Sequence, residues 1–201
     1  YKLTRTKANG GHIGFLGRLQ AVLEPLVSKK KMSFIVTAEA SRSTALGLNS
    51  QVIGRQILAA ISFDGSNVRK ASFDEGGWLT PLIILDALPV TISLKVYSSS
   101  ERIADFTLIK TIAKTLGELT GTKFVVGGLD AIGVFSSAES LTNSLFQRYK
   151  LSEEETVSDS TTFLGDSIGG FEFAIRAEHS KVGIGVTVTK TLIKSVLSAN
   201  G

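Results

Sequence analysis

The sequence contains no cysteine, one methionine, one tryptophan, three prolines and two histidines among its 201 residues. Without cysteine the chain has no disulfide framework, no thiolate nucleophile and no zinc site of the cysteine type. An intracellular setting, or one inside a virion or other particle, fits this composition best. The two histidines and the scattered carboxylates show no metal-ligand spacing, so we expect neither a metal nor another cofactor.

Long hydrophobic runs are also absent. The most apolar stretch, residues 79–94, is interrupted by Pro81, Asp86 and Pro89. A membrane-spanning helix needs about 20 consecutive apolar residues, so we predict no transmembrane span. With 43% hydrophobic and 20% charged residues, the composition is typical of a globular chain.

The positive charge is concentrated at the N-terminus. Residues 1–31 carry seven basic side chains and one acidic one, a net charge of +6, whereas the remaining residues carry a net charge of −2. The seven basic residues are Lys2, Arg5, Lys7, Arg18, Lys29, Lys30 and Lys31. We therefore predict two parts, a basic N-terminal arm (residues 1–31) and a single globular domain (residues 32–201). The seven basic residues are the predicted binding site for nucleic acid or another acidic partner.

The arm is also partly amphipathic. Apolar residues recur at spacings of three and four, the period of one helical face. They are Ile13, Leu16, Leu19, Val22, Leu23 and Leu26. Gly14 and Gly17 weaken this helix and Pro25 ends or kinks it. We predict that this face contacts a protein, and the alternatives are packing on the body of its own or a neighbouring subunit and binding to a membrane surface.

The first half of the domain has the pattern of strands. Runs rich in β-branched and aromatic residues occupy 33–39, 57–63, 68–73, 82–85 and 90–97. The second and third flank Asp64-Gly65, a hairpin signal. The last part of the chain predicts further strands at 161–164, 171–177 and 182–188, followed by a helix at 189–197.

The middle of the chain predicts helices. Ser98 with Glu101 and Ser136 with Glu139 have the spacing of a capping box, which would open one helix running to about residue 119 and another running to about Tyr149. Residues 123–135, between them, predict one or two buried strands and a parallel crossover. The expected fold class is α+β, with a mixed sheet of seven to nine strands and two or three helices, preceded by the basic arm.

One segment matches a catalytic pattern. Residues 165–169 read Gly-Asp-Ser-Ile-Gly, the spacing of a nucleophile elbow, and they resemble the Gly-Asp-Ser block of a hydrolase family. A base for Ser167 would have to be His12 or His179, and no aspartate follows Ser167 in the chain. We therefore expect no enzyme and keep a serine hydrolase using Ser167 as the second alternative.

A second local pattern lies in the middle of the chain. Residues 125–129 (Val-Val-Gly-Gly-Leu) and 132–143, which follow a long helix, resemble the central helix and strand of some non-catalytic MPN-like proteins. The metal-binding His-x-His of the active peptidases is missing, so the resemblance implies at most an inactive adaptor. It covers about a tenth of the chain and does not assign a family.

These observations favour a structural or assembly protein. We expect a homo-oligomer that self-associates through a strand-rich body and binds an acidic partner, first of all nucleic acid, with its basic arm, as coat-like virion components do. The alternative is an intracellular adaptor or scaffold whose amphipathic arm docks on a partner.

Overall fold

The computed structural model describes residues 2–5, 11–43, 50–73, 79–80, 89–121, 129–163, 175 and 186–189. These residues form three α-helices, eight strands and two short 3-10 helices. In chain order the elements are β1 (Lys2–Arg5), α1 (Gly11–Leu23), a 3-10 helix (Glu24–Leu26), β2 (Lys31–Ser43), β3 (Ser50–Asp64), β4 (Asn67–Ser72), β5 (Val90–Ser99), α2 (Thr107–Gly121), α3 (Leu129–Arg148), β6 (Ser152–Glu153), a second 3-10 helix (Glu155–Val157), β7 (Asp159–Phe163) and β8 (Val186–Thr189). The predicted α+β fold class is confirmed.

Six of the strands form one sheet in the order β4-β3-β2-β5, with β6 and β7 both paired to the far side of β5. The other two, β1 and β8, pair with each other. The described pairings are all antiparallel, whereas the sequence had led us to expect a mixed sheet. The long strands β2, β3 and β5 make the centre of the sheet.

The hairpin between β3 and β4 forms where the sequence predicts it. Gly65 has a φ of +60°, a left-handed conformation that glycine adopts at low cost. Asp64 pairs with Asn67 across the turn and with Lys31 on β2. This turn therefore lies beside the start of β2, at what we call the hairpin end of the sheet.

The two faces of the sheet bury separate apolar clusters because side chains alternate along each strand. On one face Phe34, Val36 and Ala38 of β2 join a cluster that includes Leu19 and Leu23 of α1. On the other face Ile35 of β2 packs with α2 and α3. That second cluster consists of Ile35, Ile57, Ala60, Ile103, Ile109, Ile112, Leu116 and Leu145. The sheet is therefore a middle layer between α1 and the α2–α3 pair.

Two local predictions are wrong. The strand expected to reach residue 135 is replaced by α3, which begins at Leu129, so two helices follow β5 where a parallel crossover was expected.

Neither capping box forms. Ser98 lies in β5 and donates its hydroxyl to Glu154, and Ser136 lies inside α3. The start of α2 is capped instead by Asp105, which accepts the backbone N–H of Thr107 at 2.8 Å.

The other predicted elements are found in part. The strands predicted at 33–39, 57–63 and 90–97 lie within β2, β3 and β5, and the one predicted at 68–73 lies in β4 except for Phe73, which follows the strand. Helix α1 matches the amphipathic pattern of the arm. The predicted strand at 161–164 is found as β7, and β8 covers the end of the one predicted at 182–188. The strand predicted at 82–85 and, apart from Ile175, the one predicted at 171–177 lie outside the described residues. Of the helix predicted at 189–197 only Thr189 is described, and it lies in β8.

Candidate functional site

Three consecutive lysines stand at the hairpin end of the sheet. Lys29, Lys30 and Lys31, the lysine triplet, are exposed and lead into β2. The carbonyl oxygen of Lys30 accepts the N–H of Gly65 at 2.8 Å, and Lys31 pairs with Asp64. The backbone of the triplet is therefore held against the β3–β4 turn, whereas its side chains project into solvent.

Three more basic residues lie toward the hairpin end of the sheet. Arg69 and Lys70 are exposed on β4, the strand that returns from the same turn. Arg102 follows β5, and its Nη1 lies 2.8 Å from Oδ2 of Asp64. We call these six residues the basic surface: Lys29, Lys30, Lys31, Arg69, Lys70 and Arg102.

The side chains of the basic surface differ in their hydrogen-bond and ion-pair partners. Nη1 of Arg69 donates to the carbonyl oxygen of Ala104 at 2.8 Å, and Nζ of Lys70 donates to Oε1 of Gln20 at 3.0 Å. Arg102 is neutralised by Asp64. The side chains of the lysine triplet make no hydrogen bond or ion pair with any residue that the structure describes, so their charges are available to a partner.

Among the described residues, few carboxylates lie near the basic surface, and one of them, Asp105, directly follows Ala104, whose carbonyl oxygen accepts Arg69. Asp64 is already paired, and Glu101 forms an ion pair with Lys150 at 2.6 Å, which also raises the pKa of Lys150 through their hydrogen bond. Glu24 is exposed at the end of α1. The surface therefore keeps an excess of positive charge.

The structure gathers three of the seven basic residues predicted as the site. The lysine triplet forms the centre of the basic surface, but Arg18 is half-buried on α1. Lys2 and Arg5 lie on β1, paired with β8, and Lys7 lies outside the described residues. Sequence reasoning missed Arg69, Lys70 and Arg102. The Asp64-Gly65 signal does place Arg69 and Lys70 on a strand returning from this turn, but only the pairing of β2 with β3 brings them to the triplet.

The predicted protein-interaction face of the arm lies against the chain's own sheet. Leu19, Val22 and Leu23 are fully buried, and Leu16 and Leu26 pack on the same cluster. The side chain of Ile13 is outside the described part of the chain. A partner can reach this face only after α1 has left the sheet.

A second polar cluster is buried on the α2–α3 face. The side chain of Glu39 is 4% exposed, and Nε of Arg55 lies 2.9 Å from its Oε1. The same oxygen accepts the hydroxyl of Tyr97 at 2.7 Å and that of Thr37 at 3.1 Å. Nζ of Lys95 lies 3.8 Å from Oε2 and 2.9 Å from Glu153. The cluster thus balances two carboxylates against two cations.

The geometry of this cluster is that of a structural ion network. Although Nε of Arg55 is close to Glu39, its N–H makes no hydrogen bond within the described residues, so we regard the attraction as mainly Coulombic. The guanidinium lies over the ring of Phe146, 5.3 Å from its centroid. Burial, and then the charge of Glu39, raise the pKa of Tyr97 far above 10, so its hydroxyl remains a donor. Glu39 is enclosed by these partners, so its carboxyl group does not face solvent, from which a substrate would approach.

The catalytic candidates remain without structural support. Ser167, residues 165–169 and His179 lie outside the described residues, and His12 lies on α1. Within the described ranges, no group of three or more histidines and carboxylates is placed to hold a metal ion. No described helix is long and apolar enough to cross a membrane.

Comparison with known proteins gives no family for this chain. No family model matches its sequence, and neither the curated proteins nor the solved structures contain a significant match.

Proposed function

We propose that the protein is a non-enzymatic assembly component that self-associates through its strand-rich body and binds nucleic acid with the basic surface. The observation that carries the proposal is the lysine triplet, whose three adjacent ammonium groups are exposed and have no described acidic partner.

The arrangement of the basic surface favours a polyanion over a single small anion. Its charges extend from the start of β2 to β4 and to the segment after β5, with Lys70 on the α1 face and Arg69 on the opposite face, so a polyanion that passes around the hairpin end can meet several of them at once. Each phosphate that a lysine or arginine neutralises releases counterions, which makes such binding independent of base sequence and sensitive to salt. The N-terminal arm has no aromatic residues other than Tyr1 and Phe15, so base stacking is not its main contribution.

A salt titration tests the nucleic-acid half of the proposal. Fluorescence anisotropy with a labelled DNA duplex should show an affinity that falls steeply as salt rises. The variant Lys29→Gln/Lys30→Gln/Lys31→Gln should bind more weakly, and the slope of log affinity against log salt should flatten by about 0.9 per lost phosphate contact.

The matched control uses lysines elsewhere on the chain. Lys110 and Lys114 are exposed on α2, so Lys110→Gln/Lys114→Gln also removes positive charge while the basic surface stays intact. In this control the slope of log affinity against log salt should stay close to that of the wild type, because only long-range attraction to the DNA is lost. A flat salt response of the wild type, or an unchanged slope in the triplet variant, would refute nucleic-acid binding by this surface.

The self-association half is tested separately, by size-exclusion chromatography coupled to light scattering on nuclease-treated protein. A homo-oligomer supports the proposal, and a large closed assembly would favour a component of a virion or other particle. A monomer at all concentrations contradicts self-association and favours the intracellular adaptor instead.

A further inference from the structure

The two edges of the six-stranded sheet carry opposite charges. One edge is β4, with Arg69 and Lys70 exposed. The other edge, at the hairpin end, is β6 and the 3-10 helix that follows it, with Glu153, Glu154 and Glu155 in succession. Four strand spacings separate the two edges, roughly 19 Å at about 4.8 Å for each spacing.

The pairing register relates the residues of the β4 edge to those of the β6 edge row by row. The pairing register joins Lys70 on β4 to Ser152 on β6 in one row, through Ile61, Phe34 and Ser98. The next row joins Ala71 to Glu153, through Ala60, Ile35 and Tyr97. If a second copy is placed beside the first in the plane of the sheet, its Glu153 therefore meets β4 one row from Lys70, and its Glu155 follows two residues further on, in the 3-10 helix.

Both edges are accessible. Asn67, Arg69 and Lys70 on β4 are exposed, as are Ser152 and Glu155 on the opposite edge. Among the described strands, β4 pairs with β3 alone and β6 pairs with β5 alone. The outward backbone groups of an edge strand are a template for pairing with another chain.

Edge charges commonly prevent such pairing, because edges of the same sign repel each other. Here the signs are opposite, so charge repels two like edges and attracts two unlike ones. Some acidic charge is used within the chain, since Glu153 pairs with Lys95 and Glu154 accepts the hydroxyl of Ser98. Glu155 has no hydrogen bond or ion pair through its side chain in the described structure and is the acid free to act between copies.

We infer that a second copy of this chain docks its Glu153–Glu155 edge on the β4 edge, so that copies associate head to tail. The inference rests on the self-association included in the proposed function and specifies the two surfaces through which the copies associate. Such a contact uses two different patches of each copy. Repeated contacts form a ring if the rotation between successive copies returns to the first copy, and a filament if it does not.

Charge reversal tests the contact in sedimentation velocity runs on nuclease-treated full-length protein at low salt. Wild-type protein should show an average mass that rises with concentration above the 21.4 kDa of one chain. Lys70→Glu and Glu155→Lys should each weaken association about tenfold, because an attraction across an exposed contact becomes a repulsion. An equimolar mixture of the two variants should associate like the wild type. The unchanged acidic edge of Lys70→Glu meets the unchanged β4 edge of Glu155→Lys, and at the next contact the two reversed edges meet, again with opposite charges.

Two control variants make the same changes of net charge on α2. Lys110→Glu matches Lys70→Glu, and Glu118→Lys, at a side chain that is 65% exposed, matches Glu155→Lys. Both should associate like the wild type. The inference is overturned if the wild type stays monomeric, if Lys70→Glu and Glu155→Lys behave like their controls, or if their mixture fails to associate.

Nucleic-acid binding is read independently with the Glu155→Lys variant, whose lysine triplet is intact. This variant should bind the DNA duplex at least as well as the wild type while its self-association is weakened. If the duplex is not bound but the charge-reversal pattern is observed, the inference stands and only the nucleic-acid half of the proposed function fails.

Discussion

The buried carboxyl group of Glu39 takes its partners from its own strand and from the two neighbouring strands. Arg55 comes from β3, Tyr97 and Lys95 come from β5, and Thr37 lies two residues away on β2. A buried pair of this kind adds little net stability, because desolvation offsets the attraction between the charges. Removing one partner is costly, since the charge left behind is then both buried and uncompensated.

We therefore predict that Glu39→Gln lowers the free energy of unfolding by about 3 kcal/mol, measured by urea denaturation. The amide can still accept the Tyr97 hydroxyl, so most of the loss comes from the unpaired charge on Arg55. Glu118→Gln on α2 removes an exposed partner of Lys114 and should change stability by no more than about 0.5 kcal/mol. Equal effects of the two variants would show that Glu39 is not held as an ion pair.

Tyr97 should make stability depend on alkaline pH. Burial, and then the negative charge of Glu39, raise its pKa well above the ordinary value of 10.0. Below about pH 10 the folded and unfolded chains both keep this proton, so its contribution to stability is complete. Above that pH only the unfolded chain loses the proton, and stability falls as pH rises.

The expected difference between the wild type and Tyr97→Phe follows from this linkage. From about pH 10 to pH 12 the wild type should lose about 1.4 kcal/mol per pH unit more than the variant. Urea denaturation at several pH values in this range measures the two slopes, and the other tyrosines cancel in the comparison. Parallel slopes would mean that Tyr97 ionises normally in the folded protein.

At the scale of the element, β3 has two irregularities that the local sequence does not reveal. Its register with β2 shifts between Val36 and Thr37 and again between Ala40 and Ser41, and each shift inserts an extra residue on β3. Gly54 is buried beside the second shift, where a Cβ atom would overlap the backbone carbonyl oxygen of Leu79. Glycine at this position permits the close approach of another chain segment.

Gly54→Ala should accordingly lower the free energy of unfolding by about 1–3 kcal/mol, the usual range for an overpacked site. Gly117→Ala in α2 is the matched control, because no atom other than those of its chain neighbours and the nearby helix backbone lies within 4 Å of a Cβ placed there. The control should instead raise stability by roughly 0.5–1 kcal/mol through helix propensity. Thermal and urea unfolding of both variants measure the contrast, and a neutral Gly54→Ala would contradict the close contact with Leu79.

The elements that sequence reasoning predicted correctly are those set by contacts nearby in the chain. The β3–β4 hairpin follows from Asp64-Gly65, and α1 and α2 follow from their apolar periodicity. The capping boxes failed because Ser98 is held in β5 by pairing with β2 and β6. The start of α3 was predicted as a strand because a short apolar run with β-branched residues has no period that distinguishes the two structures.

At the scale of the whole molecule, α1 contributes to the core beneath the sheet. The boundary at residue 31 was drawn from charge, and the division into an arm and a separate domain stays a prediction. Leu19, Val22 and Leu23 are each 0% exposed, and a buried apolar side chain of this size stabilises by about 1.5–3 kcal/mol. Together they amount to a large share of the 5–15 kcal/mol that typically holds a domain folded.

Deletion of residues 1–31 should therefore prevent cooperative folding or lower the melting temperature severely, as seen by circular dichroism and calorimetry. The exposed-lysine variant Lys29→Gln/Lys30→Gln/Lys31→Gln should melt within a few degrees of the wild type, because surface substitutions change stability by about 0.5 kcal/mol or less. A truncated chain that melts like the wild type would confirm an independent arm. For this reason point variants of the lysine triplet, and not the deletion, are the proper test of partner binding.

The sequence by itself determined the α+β class, the excess of positive charge near the N-terminus, the helical period of α1 and the Asp64-Gly65 hairpin. Each of these depends on composition or on residues a few positions apart, so it can be read locally. Only the tertiary structure decided that α1 packs on the sheet, that Arg69, Lys70 and Arg102 join the lysine triplet, and that the two sheet edges differ in sign. These depend on the pairing of β2 with β3 and β5. That pairing brings together residues as far as 70 positions apart, as in the bond from the N–H of Ile103 to the hydroxyl of Ser33, and no local pattern specifies it.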